Sequence, residues 1–116
     1  ETGVPETLEL GGNQWPYLPV KESLLGETAK IPRLRRSGKI SHMALAAAKD
    51  AVTASGFTPE ATRDMAILFA TSDGGVNYTR RFFDGLHLAG TGSGSPLLFP
   101  ETVYNAPASH IAAHFG

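Results

Sequence analysis

The chain has 116 residues, enough for one domain and too few for two. Its net charge of −1 excludes a global field that would draw it to nucleic acid or to an anionic membrane surface. The absence of cysteine excludes disulfides, thiolate metal sites and a cysteine nucleophile within these residues.

Residues 1–30 read as an irregular arm. Leu8 and Leu10 alternate like a short strand before Gly11-Gly12 breaks it. Trp15-Pro16-Tyr17-Leu18-Pro19 is expected to be extended, because proline restricts itself and its predecessor. Trp15 and Tyr17 are expected to anchor this arm on a surface. KIPRLRRSGK, Lys30 to Lys39, then holds five bases and no acid. It reads either as a solvated loop or as a docking site for an acidic partner, and the rest of the chain adds no basic face for nucleic acid.

Ser41 to Ser55, SHMALAAAKDAVTAS, predicts a helix with Ser41 as its N-cap and Gly56 as its left-handed end. It is apolar nearly all round except at Lys49 and Asp50, so packing on both sides is expected. Thr58-Pro59-Glu60 opens a short helical turn. Met65 to Thr71, MAILFAT, predicts a strand buried on both faces, with Ser72-Asp73-Gly74-Gly75 as the turn leaving it. Val76 to Leu86 predicts a helix ending near Gly85 or Gly90, and Gly90 to Ser95 a flexible loop. At the end of the chain Ala108, Ile111, Ala112 and Phe115 form one apolar stripe, with Pro107 in the first turn of a helix and Asn105 as its cap. Helix, buried strand, glycine turn, helix: the class is α/β.

His110 and His114 stand four apart on that last helix, the spacing that puts two imidazoles on one metal. The zinc-protease pattern needs glutamate directly after the first histidine, where Ile111 stands, so the pair reads as a polar helix face and no metal is expected. Gly90 to Ser95, GTGSGS, has neither the spacing nor the setting of a dinucleotide loop, and SDGG lacks the lysine of a nucleotide loop. No GxSxG elbow occurs. No cofactor and no catalytic residue are assigned. No apolar run approaches the length of a membrane span.

From Arg33 to Gly116 the order of segments resembles the N-terminal half of the β-ketoacyl-acyl carrier protein synthases, the thiolase-like condensing enzymes. The segments are LRRSGKISHMALAAAKDAV, SGF, MAILFATSDGG and SGSPLLFPETVYNAPASHIAAHFG. The resemblance implies that residues 31–116 are part of a layered α/β/α half-domain, incomplete in this chain. The family's nucleophilic cysteine, its two catalytic histidines and its first strand would then lie outside these residues. It implies a cytoplasmic, dimeric enzyme of fatty acid, polyketide or polyene synthesis, partnered by the remainder of the synthase or a complementary chain. Val103, Tyr104 and Asn105 would line its acyl tunnel, with Tyr104 limiting depth or serving as interior packing. Arg33, Arg35, Arg36 and Lys39 would dock an acidic acyl carrier protein. The alternative is a non-catalytic partner of chain-length-factor type or a binding protein.

Overall fold

The structure, a computed structural model, describes residues 3–116. Two antiparallel strands, β1 (Glu6–Leu10) and β2 (Asn13–Tyr17), form a hairpin. Gly11 and Gly12 both take positive φ, 62° and 78°, the conformation a two-residue hairpin loop needs to match strand twist. The register sets Leu8 opposite Trp15 and Leu10 opposite Asn13, so Leu8, Leu10, Trp15 and Tyr17 share one face. Thr7, Glu9, Gln14 and Pro16 share the other. The Tyr17 hydroxyl donates to Glu6 across the ladder at 2.7 Å. Pro16 is tolerated because a two-stranded ladder leaves every strand an edge.

The expected irregular arm is therefore this hairpin followed by helix α1 (Glu22–Ala29). Trp15 and Tyr17 are not buried anchors; all ten strand residues are exposed, Trp15 at 56%. Tyr17 bonds Glu6 across the hairpin, and Trp15 stands opposite Leu8 in its register.

A 3₁₀ turn at Pro32–Leu34 leads into α2 (Lys39–Ser55). Gly56 ends α2 in the left-handed region at φ 69°, as its position predicts. Helix α3 (Pro59–Arg63) is capped by Thr58, whose hydroxyl accepts from the Ala61 N–H. Helix α4 (Val76–Ala89) and helix α5 (Ala106–Phe115) complete the set, α5 with Asn105 at its N-cap position and Pro107 in its first turn. The Asn105 side chain makes no capping bond. Residues Thr91–Ser93 are a short 3₁₀ turn, held where the Ser93 hydroxyl reaches the Gly85 and Gly90 carbonyls.

The core lies where α5 packs on α2. Leu34, Ala44, Leu45 and Ile111 are buried there, with Ile31, Ala48, Phe69 and Phe115 against them. The alanines of α2 let the two helices approach closely.

Met65–Thr71 corrects an expectation. It has no regular secondary structure and belongs to no ladder; the sheet among the described residues is the hairpin alone. Leu68 is 98% exposed, and Met65 and Ile67 face solvent as well. Composition sets the apolarity of this segment, but a strand exists only with a neighbour to accept its backbone bonds.

The chain is spread out for its size. Its radius of gyration is 16.7 Å, against about 13 Å for a compact chain of this length. Its accessible surface is 8652 Å², against about 6,100 Å² for a compact protein of this mass. Helices and a small sheet make it a mixed α and β chain. No helix among the described residues is long and apolar enough to cross a membrane.

Candidate functional site

The densest polar cluster joins the start of α2, the segment before α5, and α5 itself. Glu101 is buried in a 3₁₀ turn, Phe99–Glu101. Its carboxylate accepts from the Gly38 N–H at 2.9 Å and from the Ser41 hydroxyl at 3.1 Å. His110 Nε2 donates to its other oxygen at 2.6 Å. Burial pushes the Glu101 carboxyl up, but the Gly38 N–H, His110 and Ser41 together outweigh it and hold it below the usual carboxylate value.

Gly38 is the N-cap residue of α2 and has no side chain to cap with. A carboxylate from 63 residues away does the capping instead, placed where the helix dipole favours negative charge. Ser41, expected as the cap, sits one turn inside the helix and is fully buried against Glu101.

Ser37 lies 3.1 Å from the same His110 Nε2 that binds Glu101. Serine, imidazole and carboxylate thus meet in an order that resembles a hydrolase triad and lacks its wiring. A relay needs the serine and the acid on opposite ring nitrogens, so that the ring passes a proton between them. Here both are on one nitrogen. The cluster is a clasp.

Glu101 escaped the sequence reading, although one signal was present. It is the only Asp, Glu, Lys or Arg between Gly85 and Gly116. A lone acid in such a stretch is a candidate for burial with partners.

The basic segment divides. The Arg33 guanidinium donates to the Ala113 carbonyl in the last turn of α5, and Lys39 pairs with Glu22 at 2.8 Å. Arg35 and Arg36 are exposed and take no part in an ion pair among the described residues. Arg36 instead borders a cavity with Arg81 of α4, a residue outside the expected docking set.

Val103, Tyr104 and Asn105 are all exposed, Tyr104 at 66%. The Tyr104 ring lies on Gly74, where a methyl group would come within 2.8 Å of it. None of the three borders an apolar groove of about 430 Å³ lined in part by Ala48, Val52, Ile67, Leu68, Ile111 and Phe115. His114 lies against Phe115, apart from the clasp that holds His110, and no group of three metal-ligating side chains gathers among the described residues. Compared with models of known protein families, with curated proteins and with solved structures, the chain finds no significant match.

Proposed function

We propose that this chain is the sheet-and-wall portion of a β-ketoacyl-acyl carrier protein synthase-like condensing enzyme. The observation that carries the reading is Met65–Thr71: an apolar segment in no helix and with no ladder partner among the described residues, beside an apolar groove of about 430 Å³. A layered α/β/α half-domain would pair that segment on both edges and cover the groove. The surface excess over a compact chain, about 2,500 Å² by the size scaling, is of the order of an obligate interface.

In this reading the whole enzyme joins an acyl thioester to a malonyl thioester with loss of carbon dioxide. The nucleophilic cysteine and the catalytic histidines come from the remainder of the enzyme. This chain contributes the clasp of Glu101, which fixes the Val103–Asn105 segment against α2 and α5. Val103, Tyr104 and Asn105 border the acyl tunnel once the remainder is in place. Arg35 and Arg36 are the part of the basic segment left to meet an acidic carrier protein, while Arg33 and Lys39 brace the fold. The enzyme is a cytoplasmic dimer in this reading. A partner of chain-length-factor type would use the same half-fold without the cysteine.

The test is to express the chain with the sequence its gene carries on either side and to follow malonyl-dependent chain extension. Release of carbon dioxide with formation of a β-ketoacyl thioester is expected, with no turnover by the 116 residues alone. A gene without a downstream cysteine would assign the non-catalytic role. A 116-residue chain that is a stable monomer, of compact hydrodynamic radius, would overturn both.

A further inference from the structure

We propose that the cavity between Arg36 and α4 is a binding site for a small phosphate ester. It measures about 360 Å³ and is lined by Arg36, Tyr78, Arg81, Ser95, Leu97 and Leu98. Tyr78 organises it from both ends. Its hydroxyl donates to the Arg36 main-chain carbonyl at 3.0 Å, which fixes the backbone that carries one guanidinium. Its ring supports the other, the Arg81 guanidinium carbon lying 5.5 Å from the ring centre. Stacking engages the face of a guanidinium and leaves its N–H edge free to bind.

The charge at this cavity is uncompensated. The ion pairs among the described residues are Lys30–Glu27, Lys39–Glu22, Arg80–Asp84 and His110–Glu101, and neither Arg36 nor Arg81 takes part in one. Asp84, the acid nearest in sequence to Arg81, faces Arg80. Two planar forks bordering one cavity match the oxygens of a phosphate, and Ser95 adds a hydroxyl donor. Leu97 and Leu98 form an apolar wall that inorganic phosphate would leave unused. An ester with a short apolar group satisfies both halves. A nucleic-acid strand fits less well, because Tyr78 is the one aromatic ring lining the cavity and Arg81 already lies over it. The inference stands on this cavity and does not rest on the condensing-enzyme reading.

The experiment titrates the full 116-residue chain with n-butyl phosphate by calorimetry, with inorganic phosphate and n-butanol as comparison probes. Butyl phosphate is expected to bind about fivefold or more tighter than inorganic phosphate, through its alkyl contact, and butanol not to saturate. Arg36→Gln and Arg81→Gln are each expected to weaken butyl phosphate about tenfold, the scale of a lost charge-assisted pair. Arg35→Gln, in the same basic segment but outside the cavity, should change it less than about twofold. No saturable heat with butyl phosphate, or an equal loss in Arg35→Gln, overturns the proposal. A measurement on the unaltered chain guards against variants that fail to fold. The Nε–Hε resonances of Arg36 and Arg81 should move as butyl phosphate is added while that of Arg35 stays still, and unmoved resonances would equally overturn it.

Discussion

Glu101 carries more of the tertiary structure than any other polar residue described here. Replacing it with alanine strands the Gly38 N–H, the Ser41 hydroxyl and His110 in a buried place, a loss of about 3 kcal/mol. Glu101→Gln keeps one acceptor oxygen and should lose about half as much. Urea unfolding monitored by circular dichroism measures both. The sign of the pH dependence follows from the lowered carboxyl value. The folded state binds the Glu101 proton less readily than the unfolded chain, so the contribution is complete above the ordinary value of 4.5. It is lost as pH falls below 4.5 and through the lowered folded value. Glu101→Gln should flatten the stability profile in that window, and at neutral pH and above should lower it by a constant amount that no longer varies with pH. An identical acid limb in the variant would mean that other carboxylates dominate.

Two glycines separate space from propensity at the scale of the element. Gly75 precedes α4 with a negative φ of −84°, so left-handed backbone does not require glycine there, but a Cβ would lie 2.0 Å from the Glu101 carbonyl oxygen. Gly75→Ala must push the Phe99–Glu101 turn away from α4, at a cost of about 2 kcal/mol or more. Gly26 lies inside α1 with nothing within 4 Å of an added Cβ. Gly26→Ala should stabilise by about 0.5–1 kcal/mol through helix propensity. Thermal melts of the two variants should therefore move in opposite directions.

The elements that were legible in the sequence are those whose signals are local. The Thr58 cap, the left-handed Gly56, the start of α4 at Val76 and the Pro107 first turn of α5 all lie within a few residues of the features that announce them. What was not legible depends on distant chain. The start of α2 moved to Lys39 because its cap arrives from Glu101, and Ser41 turned inward to the same carboxylate. The arm became a hairpin because Gly11 and Gly12 form a turn as well as a break. The tunnel assignment of Val103–Asn105 has no counterpart in local pattern at all. It came from resemblance, and these residues lie on the surface of the chain by itself.

At the scale of the whole molecule, the proposed association is tested at the exposed Met65–Thr71 segment. Leu68→Asp removes the most exposed apolar side chain of the groove without touching a buried one. Its helical circular dichroism should match that of the unaltered chain, while sedimentation shows less self-association or loss of binding to a complementary chain. Unchanged assembly would place the contact elsewhere.

The hairpin has one more consequence, and it concerns what an observer of unfolding would see. Trp15 is the chain's one tryptophan, and it sits on the arm, opposite Leu8 and outside the core of Leu34, Ala44, Leu45 and Ile111. Tryptophan emission therefore watches the hairpin open, while ellipticity at 222 nm watches the helices. A denaturation followed by light from Trp15 records the loss of the arm, and the core can come apart in the dark.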